Sequence, residues 1–391
     1  MSQPGLFNRA AIVGSMLAMV SIGALIASYG PAIAGFKTRF GLTDADAGAG
    51  LALQSVGAVV GVVAAPWVLR KFGNRAAMST ALVLIAIGAT AIAFAPHWSV
   101  LLVAATTAGL GVGAIDLLVS QLLITGTGAR GPALMNLAHA FFGIGTVASP
   151  ALTAVVGSDS YMVVFMLFAV CALAALLTMP GLKARPTPMD TTPATSAAVI
   201  RPTRRIGVLL LSGFIILYIA HFGVQSGIGN WEPTYLVATG FGQSTAVWAT
   251  SGFWMAMVLG RFVAAGLTRH IAIPQLVTLS CVGMTAALVI AHLEGTATWA
   301  FLLCGFFIGP IFPNGLTWLA HSGYGQGPSF AYVIAASMVG MAVAPWAIGV
   351  HIEYAGTQVL PSTLLAIALI ALAVSIALAI LTSRLKHGRI R

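Results

Sequence analysis

Asp116 and His139 stand out as residue types able to move a proton from an otherwise apolar setting. Each lies inside an apolar run, Ser99–Thr125 for the acid and Gly131–Val156 for the imidazole, and a short turn carrying Arg130 joins the runs. An ionisable group at mid-bilayer depth costs about 2.5–3.5 kcal/mol or more, so its presence there argues for a function. At a helical rise of 1.5 Å per residue, Asp116 sits about 14 Å from the inner end of its run, with His139 at a similar depth. Antiparallel neighbours can bring the two into hydrogen-bonding distance when both face the same way. Such a pair can take up and release a proton. The competing reading for either residue is a structural hydrogen bond between helices.

A second set could hold a polyhydroxyl solute. The run Ile206–Leu236 carries His221, Gln225, Asn230, Trp231 and Glu232. Amides hydrogen-bond in pairs to hydroxyls, and an indole stacks on the apolar face of a pyranose. Asn314 and Trp318 share a face of the run Thr296–Ala320. For Trp318 the alternative is ordinary helix packing. Glu232 is expected near the outer boundary, as a solvated rim acid or a gate. Pro310 and Pro313 should bend their helix. Arg261 is expected to snorkel from the inner end of Ser244–Leu267, with substrate contact as the lesser reading.

These residues need a scaffold, and composition names it. The 391 residues are 59% hydrophobic and 7% charged, with a mean hydropathy of +0.99. A soluble domain carries about 25% charged residues. The chain therefore reads as a polytopic membrane protein. Twelve runs are long enough to span: Ala10–Ala34, Ala47–Leu69, Ala76–Ala95, Ser99–Thr125, Gly131–Val156, Tyr161–Met179, Ile206–Leu236, Ser244–Leu267, Ile271–His292, Thr296–Ala320, Ser329–Val350 and Pro361–Leu381. The first and seventh exceed a straight span, so tilt or a broken outer end is expected. The third, sixth, ninth and twelfth are nearly free of strongly polar side chains and suit an outer, lipid-facing ring. Cys171, Cys281 and Cys304 lie in apolar runs at no metal spacing and read as small buried hydrophobes.

The net charge of +10 is a topology signal. Of 18 Lys and Arg, all but Lys37 and Arg39 fall on the side of the N-terminus once twelve spans are threaded. By the positive-inside rule both termini are cytoplasmic. The Pro-rich stretch 181–205 reads as a cytoplasmic linker between six-helix bundles 1–180 and 206–391. The halves repeat: Gly145–Pro150 and Gly340–Pro345 share the pattern Gly-x4-Pro, 195 positions apart, and Gly109, Gly111 and Gly113 loosely match Gly305 and Gly309. Parallel repeats of this kind accompany alternating access. No Walker-type phosphate loop appears, so energy must come from an ion or substrate gradient.

Twelve spans in two halves resemble the major facilitator superfamily over the whole chain. The stretch Asp116, Asn136-Leu-Ala-His139 and Phe141 is similar to its fucose/galactose/glucose:proton symporter branch and to sodium-dependent glucose-transporter-like relatives. Gly309-Pro-Ile-Phe-Pro313 and Trp231-x-Pro-Thr-Tyr-Leu236 resemble the same branch. The chain departs from the pattern with Gln225 in place of a Glu, with no acid in the first span, and with Arg70 in the acidic slot of the loop after the second span. The resemblance implies an all-α membrane protein of twelve transmembrane helices in two pseudo-symmetric bundles. It implies a secondary active transporter for proton-coupled symport of a neutral sugar or polyol by alternating access. A proton-driven antiporter exporting a drug-like compound or metabolite is the alternative. On this reading Asp116 and His139 couple the proton, and Asn136, His221, Gln225, Asn230, Trp231, Glu232, Asn314 and Trp318 bind substrate. No enzyme activity, cofactor, metal or nucleic acid is expected. The partners are a small-molecule substrate, a coupling proton and the lipid bilayer of the inner membrane, with the protein working as a monomer.

Overall fold

A computed structural model describes residues 6–184, 204–322 and 328–386. Most of the expected linker 181–205 lies outside them. The described residues form helices α1 (Arg9–Phe40), α2 (Asp44–Phe72), α3 (Asn74–Ala93), α4 (Trp98–Gly126), α5 (Gly131–Val156), α6 (Tyr161–Leu177), α7 (Arg204–Ala238), α8 (Gln243–Leu267), α9 (Ile273–Ile290), α10 (Ala297–Ile308), α11 (Ile311–His321), α12 (Pro328–Ala355) and α13 (Leu360–Lys386). Among them they provide 12 stretches long and apolar enough to cross a membrane, with α10 and α11 forming one broken span. The only strand-like pairing among the described residues is an isolated bridge between Phe7 and Leu182.

Local chemistry sets the ends. Asn8 caps α1 by accepting the Ala11 N–H, and Thr43 with Asp46 forms a reciprocal capping box on α2. Neither long helix breaks: α1 runs through Pro31 and α7 through Pro233 as continuous helices. The expected bend at Pro310 and Pro313 is a break instead, since α10 stops at Ile308 and α11 restarts at Ile311. Pro310 supplies no N–H and its ring crowds the preceding turn.

The chain divides into two compact units, Met1–Met189 with Val237–Ser251, and Asp190–Leu236 with Gly252–Arg391. Segment Val237–Ser251 thus groups with the first unit, rather than with the bundle from 206 onward. There Ser244 and Ser251 donate to the Ala154 and Val147 carbonyls of α5.

Within the first unit, glycines let backbones touch. A Cβ on Gly109 or Gly113 of α4 would collide with the Gln54 or Ala58 carbonyl of α2, and one on Gly61 with the Leu110 carbonyl. Gly145 of α5 lies on the Val20 carbonyl of α1 in the same way, and Ser28 and Ser149 hydrogen-bond across that pair at 2.6 Å. Small residues at helix contacts are the usual means of packing where lipid removes the hydrophobic drive. The second unit repeats the pattern. Gly305 and Gly309 lie on the Phe253 and Met257 carbonyls of α8, Gly260 on the Phe306 carbonyl, and Gly340 on the Ile219 carbonyl of α7.

The loop with Arg70 in its acidic slot is secured by other means. Arg75 donates to the Leu182 and Pro180 carbonyls at 3.1 and 2.8 Å, and Asn74 to the Lys183 carbonyl at 3.3 Å. The start of α3 is thereby tied to the chain leaving α6 without a carboxylate. Helix α6 exposes Val163, Val170, Leu173 and Leu177, and α13 exposes Leu369, Ile370, Ile376 and Ile380, an apolar surface suited to lipid.

Candidate functional site

In the first unit the α4–α5 pair brings the expected acid and imidazole together. Asp116 and Ser120 are one turn apart on α4, hence on one face. The Ser120 hydroxyl is 3.4 Å from Nε2 of His139 on α5, and Asp116 lies within electrostatic reach of the same ring. Ser120 was not singled out from sequence. Its serine reads as helix glue until the rotation of α5 is known. Asn136 is exposed one turn before His139. The close seat of α4 on α2 at Gly113 fixes the rotation that turns Asp116 toward α5. A carboxylate, a hydroxyl and an imidazole on two adjacent helices make a short proton relay or a helix tie, and the geometry permits both.

The second unit distributes the other candidates differently. Trp231 is fully buried and its indole N–H donates to the Pro345 carbonyl at 2.8 Å. The ring expected to stack on a pyranose is, in this structure, a tie between α7 and α12. Its neighbour Glu232 is also fully enclosed, near Cys304, and is not a solvated rim acid. Burial among neighbouring helices is something hydropathy along the chain could not show. Trp318 is buried edge-on against Phe214 at 5.4 Å, as the packing alternative has it. Asn314 is half-buried and its amide donates to the Pro310 carbonyl at 2.8 Å, covering a backbone acceptor at the helix break. Tyr218 serves the same break by donating to the Phe312 carbonyl at 2.6 Å. Asn230 donates to the Ser226 carbonyl, while its side-chain oxygen is buried without a partner. Gln225 is buried one turn from His221 on the same face of α7.

The largest departure concerns Arg261. Its side chain is half-buried: Nε is enclosed without a hydrogen-bond partner, and Nη2 reaches the Met257 sulfur at 3.9 Å. It lies within electrostatic reach of His221, which is itself fully buried with both ring nitrogens unpartnered. The signal was present in the sequence. An arginine six residues inside the end of an apolar helix is too deep to be a boundary residue.

Comparison with known proteins agrees with the architecture. The model of the Major Facilitator Superfamily matches residues 12–345. The glucose/mannose transporter GlcP of Bacillus subtilis (strain 168) is 20% identical over 313 residues, covering 76% of this chain and 76% of its own. Among solved structures, a D-xylose-proton symporter superposes with a TM-score of 0.77 at 14% identity, over 94% of this chain and 96% of its own. The Escherichia coli fucose:proton symporter FucP gives 0.65 at 16% identity, over 95% and 98%. At these identities the structures establish the fold. With twelve spans, two units carrying the same glycine contacts and a family match over most of its length, the chain belongs to the Major Facilitator Superfamily and is a membrane transporter, not an enzyme.

Proposed function

We propose that the protein is a secondary transporter that couples inward movement of a monosaccharide or polyol to a proton. The observation that carries this reading is the cluster of Asp116, Ser120 and His139 on α4 and α5, an acid and its proton-sharing neighbours inside membrane-spanning helices. The activities of the relatives, transport of glucose and mannose and proton symport of xylose and fucose, support the substrate class and the coupling ion. Asp116 loads a proton from the outer side, Ser120 and His139 hold it in place, and the proton leaves with the solute on the inner side as access alternates. Gln225 and Asn230 on α7, Asn314 on α11 and Asn136 on α5 are the amides available to hydroxyls. His139 works as a positioning residue for Asp116. The basic residues at the loops support an orientation with both termini in the cytoplasm.

The test is external pH in de-energised cells expressing the protein, after pulses of hexoses, deoxyhexoses, inositols and sugar acids. Alkalinisation with one sugar that disappears in Asp116→Asn, while counterflow exchange of that sugar persists, is the expected result. Accumulation should fall at least tenfold, because the neutral amide cycles with substrate but carries no proton. No pH change with any sugar from a well-expressed protein overturns the reading, and efflux assays become the next step.

A further inference from the structure

We infer that Arg261 and His221 form a carboxylate-recognition subsite, so that the transported polyol is a sugar acid, a monoanion, and not the neutral sugar expected from sequence. The inference rests on the proposed sugar transport and deepens it. Among the described residues Arg261 is the one Lys or Arg more than a turn inside the ends of a membrane span. The sole ion pair among the described residues is Lys37 with Asp44, so no carboxylate among them lies within 4.0 Å of the Arg261 guanidinium. Its Nε is buried and unused, and both nitrogens of the enclosed His221 are unused.

A cation held this way is costly unless an anion visits it. The planar guanidinium fork matches a carboxylate with two parallel hydrogen bonds, and a neutral imidazole adds one N–H donor. Two nearby groups are unavailable for this purpose: the Tyr218 hydroxyl is spent on Phe312, and the Asn314 amide on Pro310. Gln225, one turn or about 5–6 Å along α7 from His221, adds an amide at the spacing of one sugar ring. The guanidinium offers hydrogen atoms alone, the neutral imidazole one donor and one acceptor, and the one formal charge is positive. A single cation balances a single negative charge, which favours a carboxylate over a doubly charged phosphate ester.

The charge also has a consequence for coupling. A monoanion entering with the one proton on Asp116 moves no net charge. A neutral sugar entering with a proton moves one positive charge inward.

The experiment uses the full-length protein, first in detergent and then in proteoliposomes. Thermal protection is measured with glucose, glucuronate, gluconate, galactose, galacturonate, glucose 6-phosphate and lactate, followed by transport-linked current. Sugar acids should protect the wild type and be transported without net current. Arg261→Gln should lower their apparent affinity at least tenfold, Arg261→Lys should retain part of it because charge without the fork remains, and His221→Gln should lower it a few-fold. The unliganded melting temperature of Arg261→Gln, unchanged or raised, separates a binding defect from a folding one. Protection by glucose or galactose alone, indifferent to Arg261→Gln and accompanied by inward current, overturns the carboxylate subsite and leaves the sugar reading standing. Protection by glucose 6-phosphate alone also overturns the subsite as a monoanion site. Lactate matching the sugar acids, with the same dependence on Arg261, keeps the subsite and defeats the sugar reading. No protection by any of the seven defeats both.

Discussion

In the first half of the chain Gly61, Gly109 and Gly113 seat α2 against α4; in the second half Gly260, Gly305 and Gly309 seat α8 against α10. The α4 and α10 members are 196 positions apart, and the α2 and α8 members 199. The carbonyls they rest on obey the same offsets, Gln54 with Phe253, Ala58 with Met257, and Leu110 with Phe306. The chemistry does not follow. By the same counting Arg261 stands where the first half has Val62, and His221 where it has Ile22. Asp116 and His139 stand where the second half has Phe312 and Ile334. Backbone packing is duplicated, while the Asp116–His139 cluster lies in one half and Arg261 with His221 in the other. Close backbone contact depends on the absence of a side chain and tolerates almost any residue at neighbouring positions. A duplicated scaffold therefore leaves its polar positions free to diverge.

Matched substitutions at the glycines test the equivalence most severely. Gly113→Val and Gly309→Val each drive side-chain atoms into a backbone carbonyl that cannot retreat, and each should cost about 3 kcal/mol or more and abolish the folded peak in size-exclusion chromatography. If one half tolerated the change and the other did not, the packing would not be equivalent. A smaller difference should separate two tryptophans of the second unit. Trp231→Phe removes the hydrogen bond to Pro345 and should cost about 1–2 kcal/mol beyond any packing loss. Trp318→Phe removes an indole N–H that has no partner and should be milder, as compared by thermal melts of the two variants side by side. The smallest effect belongs to the part-exposed pair Lys37–Asp44, at 2.8 Å, which has no counterpart ion pair among the described residues of the second unit. Lys37→Ala should cost below about 1 kcal/mol and leave transport unchanged.

Much of the scaffold was legible because hydropathy is a property of consecutive residues. The twelve spans fall within a few residues of the apolar runs, apart from α1, which continues to Phe40 and takes Lys37 and Arg39 into its last turn. The repeat was legible at Gly145 and Gly340, since both serve a contact that permits no side chain. The site was read in part. Asp116 and His139 were visible as ionisable groups in apolar runs, but Ser120 was one serine among many until α5 placed His139 beside it. Trp231 and Glu232 were read in the wrong setting, because a tryptophan at a helix end has the same sequence signature whether it meets a substrate or a carbonyl.

The sequence by itself determined the helices, the number of spans and an irregularity at Pro310 and Pro313, read as a bend, all consequences of local composition and of an imino acid that lacks an N–H. Tertiary structure alone decided which residues meet across helices: that His139 faces Ser120 and Asp116, that Trp231 spends its N–H on Pro345, and that Arg261 lies within electrostatic reach of His221 with no ion-pair partner among the described residues. Depth is fixed by counting residues at a constant rise. The direction in which a side chain points around its helix is fixed only when glycines and small residues lock that helix against its neighbours.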